Sequence, residues 1–134
     1  MEYPYCVNVK WHPGMLAEKK KILVVDDEVE LCDLLKSFLV KRNYDVSVCY
    51  TVEECRRILN TTSFDFVFLD NNLPDGVGWD IASTIAEKKL KTFIMLISAY
   101  KAPQFEIPGF TNYKIMEKPL RFADIEKDLK AVLG

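Results

Sequence analysis

Three apolar runs, at residues 22–25, 64–69 and 92–97, each stop at a polar side chain: Asp26, Asp70 and Ser98. Apart from Asp65 and the leading Thr92, the runs hold no polar residue, so neither face of these segments suits water. Between them lie stretches whose apolar residues recur at helical spacing. Strands buried on both faces need helices on both faces, and strand–helix alternation supplies them. The expected fold is therefore α/β, a doubly wound parallel sheet with right-handed crossovers. In such a sheet ligands bind beyond the carboxyl ends of the strands, where the winding direction reverses.

Local signals give the remaining elements. Leu31, Leu34, Leu35, Phe38 and Leu39 predict a helix that Asn43 stops. Residues 45–49 read as a valine-rich strand, and Thr51-Val52-Glu53-Glu54 fits a capping box opening a helix through Leu59. Pro74-Asp75-Gly76 marks a turn before a helix over residues 79–89. A weaker strand at 113–117 ends at Lys118-Pro119. A last helix at 122–133 carries Ile125, Leu129, Val132 and Leu133 on its apolar side.

Composition removes other classes. A chain of 134 residues with 49% apolar content is one globular domain. Eighteen basic against twenty acidic residues, net −2, leave no electrostatic footprint for nucleic acid. No segment suits a membrane span or a signal peptide. Cys6, Cys32, Cys49 and Cys55 lack C-x-x-C spacing and His12 is the one histidine, so neither a zinc site nor a histidine-assisted nucleophile is expected. Such cysteine usage suits a reducing cytoplasm.

The residues just past the strands are Asp26-Asp27-Glu28, Asp70, Ser98 and Lys118. Taken singly, the first acids would cap a helix starting near Val29, Asp70 would be a turn residue and Lys118 a surface cation. Taken together, converging carboxylates need a compensating charge. Mg²⁺ supplies it and recruits phosphate oxygens. Lysine and a serine hydroxyl suit phosphoryl oxygens, and an aspartate can act as nucleophile to form an acyl phosphate.

Ile22-Leu23-Val24-Val25-Asp26-Asp27-Glu28, Asp70-Asn71-Asn72-Leu73-Pro74-Asp75-Gly76, Ser98-Ala99 and Lys118-Pro119 occur in this order, each closing an expected strand. On these residues the chain from residue 20 to 134 resembles the receiver domain of two-component response regulators, of the chemotaxis-regulator type; residues 1–19 form an N-terminal extension. The resemblance implies a flavodoxin-like five-stranded parallel sheet of order 2-1-3-4-5. It implies that Asp70 is the phosphoacceptor and that Asp26, Asp27, Asp70 and the Asn72 backbone carbonyl bind Mg²⁺. Ser98 and Lys118 would hold the phosphoryl group, with Lys118-Pro119 in a cis bond. Phosphate would come from a sensor histidine kinase or a phosphotransfer protein. Output would be contact with a downstream protein target that the sequence does not name, without nucleic-acid or membrane binding. On this reading the chain catalyses only its own phosphorylation and dephosphorylation, and no fused output domain is expected.

Three departures from the family stand out. Receivers commonly carry Tyr or Phe three residues before the lysine, as the switch ring. Here that residue is Ile115, with Tyr113 two earlier on the same strand face. Residues 100–112, where the family places its fourth helix, contain Pro103, Pro108 and Gly109. Proline inside a helix costs about 3 kcal/mol, so this helix is expected to be short or absent. Either an unusual docking face or a loop with no output role follows. Tyr3, Tyr5, Val7, Val9 and Trp11 alternate with polar residues, which predicts an extra strand over residues 3–11, on its own sheet or on that of a homodimer partner; Pro4 counts against it. In the family, the residues two beyond the phosphoacceptor and two beyond the hydroxyl residue set phosphoryl lifetime. These are Asn72 and Tyr100, and the bulk of Tyr100 predicts slow hydrolysis.

The alternative is a phosphorylation-independent interaction module on the same fold. An aspartyl enzyme of the haloacid-dehalogenase kind would need a second Asp where Asn72 stands. An FMN carrier would need a phosphate loop that the first strand lacks.

Overall fold

In the computed structural model, which describes residues 19–88, 91–99 and 105–134, strands and helices alternate as the apolar runs require. The elements are β1 (Lys21–Val25), α1 (Val29–Val40), β2 (Asp45–Cys49), α2 (Val52–Thr61), β3 (Phe66–Asp70), β4 (Asn72–Leu73), β5 (Gly76–Val77), α3 (Asp80–Lys88), β6 (Phe93–Ser98), β7 (Tyr113–Glu117) and α4 (Phe122–Leu133). Five strands pair in parallel in the order β2-β1-β3-β6-β7, which is the expected doubly wound order counted along the sheet. The winding reverses between β1 and β3. The short β4 and β5 form a separate antiparallel hairpin around the expected Pro74–Asp75 turn.

Each inner strand divides its side chains between two cores. Leu23, Val25, Val67, Leu69, Ile94 and Leu96 meet α2 and α3 on one face. Ile22, Val24, Phe66, Phe68, Met95 and Ile97 meet α1 and α4 on the other. All twelve are at most 1% exposed, which accounts for the unbroken apolar runs. Each such side chain contributes about 1.5–3 kcal/mol on burial.

The helix limits have local causes. Asn43 takes the left-handed φ of 70° just past α1, as expected of a stop residue. At α2 the Thr51 hydroxyl accepts from the Glu54 N–H at 3.0 Å, while Glu54 reaches back to the Tyr50 N–H at 2.8 Å. The box therefore closes one residue earlier than the Thr51 N–H. Two expectations fail. Leu34 is 63% exposed, because α1 buries the stripe Cys32, Leu35 and Leu39, from which Leu34 is turned away. Val132 is 37% exposed, at the margin of the α4 face that Ile125 and Leu129 bury.

Among the described residues 105–112 there is no helix. Instead Ile107 bridges Phe110, whose N–H donates to the Ile107 carbonyl at 3.0 Å, with Gly109 at φ 76°. Pro108 then Gly109 in the central positions is the chemistry of a type II turn. Among the described residues no helix is long and apolar enough to cross a membrane. The strand expected over residues 3–11 lies outside the described residues.

Candidate functional site

Register sets the site. Val25 is level with Leu69, Asp70 with Ile97, and Ser98 with Glu117, so Asp26, Asp70, Ser98 and Lys118 stand at neighbouring strand ends. Backbone bonds lock this edge: Asp26 N–H to the Cys49 carbonyl (3.1 Å), Asn71 N–H to the Ile97 carbonyl (3.1 Å) and Lys118 N–H to the Ser98 carbonyl (2.8 Å). Asp26, Asp70 and Ser98 are buried, whereas Asp27 is exposed. The Lys118–Pro119 bond is cis, as the resemblance implied.

Carboxylate oxygens of Asp26, Asp27 and Asp70 lie within 4.8 Å of one another. The Lys118 ammonium sits beside them, 3.0 Å from Asp26, 3.5 Å from Asp70 and 2.6 Å from Glu28. Burial works against that ammonium, yet its hydrogen bond to Glu28 and its ion pairing with Asp26 outweigh burial and hold Lys118 above the ordinary lysine range. Burial pushes the Asp70 carboxyl up to about 6, the Asp26 charge adds to the rise, and Lys118 and the Asn72 N–H oppose it.

The donor set fits a hard divalent cation. All three groups offer oxygen, and the buried Asp26 Oδ2 has no aligned hydrogen bond despite the nearby ammonium. Asn72 lines the same cleft of about 220 Å³ with Asp27, Glu28, Asp70, Leu73, Pro74, Ala99 and Lys118. The Asn72 N–H donates to Asp70 Oδ2 at 3.2 Å.

Asp26 does serve a local turn, its Oδ1 accepting from the Glu28 N–H at 2.9 Å, but the residue that enters α1 is Glu28, which makes no side-chain cap. The Glu28 carboxylate holds Lys118 instead. Ile115 is not in the cleft. It pairs with Leu96, two positions short of Ser98, and packs with Tyr113 against the α2–α3 core, so the expected shared face is present. Tyr100 lies outside the described residues.

Two contributors have no local sequence signal. Gly78 donates its N–H to the Asn71 carbonyl at 3.0 Å, and a Cβ there would overlap the Asp70 carbonyl oxygen. Asp75 reaches α2 through the Val52 N–H at 2.7 Å. Both meet partners outside the turn at residues 74–76.

A family described as the response regulator receiver domain matches residues 22–130. The regulatory protein VanR of Enterococcus faecium is 38% identical over 118 residues, covering 84% of this chain and 49% of VanR. The chain spans about half or less of the curated relatives it matches. Among solved structures, the non-phosphorylated HemR receiver domain of Leptospira biflexa has TM-score 0.75 at 30% identity, covering 87% of this chain and 95% of that one. A crystal structure of histidine kinase ThkA in complex with response regulator protein TrrA has TM-score 0.71 at 29% identity, covering 86% and 99% of the two chains. With the family match spanning most of the chain and the strand-edge residues in register, this chain belongs to the response regulator receiver domain family.

Proposed function

We propose that Asp70 accepts a phosphoryl group from the phosphohistidine of a sensor histidine kinase or a phosphotransfer protein. An Asp70 carboxylate oxygen bonds to phosphorus while the P–N bond breaks. The electron pair returns to the imidazole nitrogen, which takes a proton from solvent, and the product is an aspartyl phosphate. The observation that carries this reading is the Asp26–Asp27–Asp70 group within 4.8 Å, with Lys118 at 3.5 Å from Asp70.

Asp26, Asp27, Asp70 and the Asn72 carbonyl would hold Mg²⁺, which when bound offsets the charge on the phosphoryl oxygens. The Lys118 ammonium, now shared by three carboxylates, is close enough to turn to a phosphoryl oxygen. Ser98 closes the neighbouring strand, and a serine hydroxyl at that strand end would suit another. Gly78 lets the following loop lie directly on the Asp70 backbone, which fixes where the nucleophile points. The ThkA–TrrA complex supports a kinase as phosphate source. On this reading the domain works in the cytoplasm, with output by protein contact and no turnover of a separate substrate.

The test is intact mass after incubation with acetyl phosphate, with and without Mg²⁺, on wild type and Asp70→Ala. A Mg²⁺-dependent phosphoryl adduct absent from the variant supports the reading. An adduct that survives Asp70→Ala overturns it.

A further inference from the structure

Asp75 stands in the turn of the β4–β5 hairpin and is exposed, outside the cleft around Asp70. Both its carboxylate oxygens leave the hairpin. Oδ1 accepts from the Val52 N–H at 2.7 Å and Oδ2 from the Glu53 N–H at 3.0 Å. These are the first two amides of α2, which have no acceptor within the helix. Thr51 serves the next two, through its hydroxyl to Glu54 at 3.0 Å and its carbonyl to Cys55 at 3.1 Å. All four leading amides of α2 are thus satisfied, half of them from a segment distant in sequence. The two bonds hold the Asp75 carboxyl below the ordinary range, so it is ionised at neutral pH and its charge suits the positive end of the helix.

The same hairpin touches the phosphoacceptor. Asn72 pairs with Val77 and Leu73 with Gly76, so the turn and the Asn72 backbone belong to one short ladder. Asn72 donates its N–H to Asp70 Oδ2 at 3.2 Å, and a Cβ at Gly76 would meet Val52 Cγ2 at 3.4 Å. The hairpin is held between α2 at its turn and Asp70 at its open end.

We propose that Asp75 is a positioning residue for the metal: its clasp on α2 fixes the hairpin that presents the Asn72 backbone to Asp26, Asp27 and Asp70, and so sets Mg²⁺ affinity. This rests on the reading of the cleft as a Mg²⁺-dependent phosphoacceptor site. Coupling of two sites is reciprocal, so Mg²⁺ in turn protects the Val52 and Glu53 amides from exchange.

Four variants separate the clasp from its bland substitutes. Asp75→Asn removes the charge and one strong acceptor. Val52→Pro deletes the 2.7 Å bond and leaves Asp75 charged. Val52→Ala, which trims the same core-packed side chain but keeps the bond, is its control and should match wild type. Proline is tolerated at a first helical position, and Thr51 before it is already extended at φ −138° and ψ 161°. Thr51→Ala loosens the same helix end without touching the clasp. Mg²⁺ titration by calorimetry, with circular dichroism to check folding, is expected to show Kd raised about threefold or more in Asp75→Asn and Val52→Pro. That lies below the roughly 10–100-fold loss typical of groups bonded directly to metal ligands. Thr51→Ala should match wild type. Amide exchange at Val52 and Glu53 should slow on adding Mg²⁺ to wild type.

A shift in Asp75→Asn but not in Val52→Pro would reduce the effect to bulk charge and overturn the clasp. An equal shift in Thr51→Ala would reduce it to helix stability and do the same. If Val52→Pro does not fold, the Asp75→Asn and Thr51→Ala pair together with the exchange data decides. Wild type that binds Mg²⁺ with no change at Val52 and Glu53 contradicts the inference alone. Wild type that binds no Mg²⁺ overturns the reading of the cleft, and the inference with it.

Discussion

At the carboxyl edge of the sheet, Asp26, Asp70, Ser98 and Lys118 are placed by the ends of strands and held in register by backbone bonds. On the face that follows β6, residues 105–113 are placed by rings. Phe105 lies edge-on to Trp79 (5.1 Å, 68°) and to Tyr113 (6.1 Å, 89°), and Phe110 stacks on Tyr113 (6.1 Å, 7°). The Tyr113 hydroxyl donates to the Phe105 carbonyl at 3.1 Å. On the proposed function the first region tolerates little change, because each side chain there would meet the metal or the phosphoryl group. The second needs only volume, a turn and apolar contact, so a proline-broken segment can fill the space of a helix. Trp79 joins the two: it follows Gly78 in the Asp70 loop, is 3% exposed, and leaves its Nε1–H without an acceptor.

Glycine substitutions break this comparison most severely. Gly78→Ala sets a methyl group into the Asp70 carbonyl and 3.2 Å from Leu73 Cδ1, so the loop must move. The expected loss exceeds about 4 kcal/mol in urea unfolding, in the range of severe steric defects. Gly109→Ala meets nothing within 4 Å and suffers only its φ of 76°, for about 1 kcal/mol. Similar losses in the two variants would contradict the contrast.

Phe110→Ala is expected to cost about 3–5 kcal/mol, since this ring plugs the core where a helix would lie. Its Mg²⁺ affinity, by titration of the folded variant, should stay at the wild-type value. A collapse of Mg²⁺ binding would show that the two regions are not separate.

Asp70→Asn works in the opposite direction and should stabilise the metal-free protein. The fold raises this carboxyl from 3.8 to about 6, so ionised Asp70 opposes folding. Below about 4 the group is protonated in both states and costs nothing, and stability falls as pH rises from about 4 to about 6. Above that the full cost is present, about 3 kcal/mol at one pKa unit per 1.36 kcal/mol. The difference in thermal midpoint between Asp70→Asn and wild type should therefore grow from pH 4 to pH 7 and level off. A variant less stable than wild type at neutral pH would contradict this. The smallest effect is Tyr113→Phe, about 1 kcal/mol for one hydrogen bond, read by urea unfolding with phosphorylation unaltered.

The same contrast governs what could be read from the residues. Asp26, Asp70, Ser98 and Lys118 each close a run or a strand, so a local pattern locates them and the sheet order aligns them. Pro108 and Gly109 likewise announce a turn rather than a helix. The contacts of Trp79 with Phe105, or of Asp75 with Val52, join segments more than twenty residues apart and leave no periodic trace. Leu34 fails for a related reason: it has the right hydropathy, but the stripe is set by what α1 packs against.

The central claim is that Asp70 itself carries the phosphoryl group. Borohydride reduces an aspartyl phosphate to homoserine, and peptide mass mapping then locates the converted residue. After treatment with acetyl phosphate and Mg²⁺, homoserine is expected at position 70 and at no other acid. Conversion at Asp26 or Asp27, or a phosphoryl adduct with no homoserine anywhere, would contradict it.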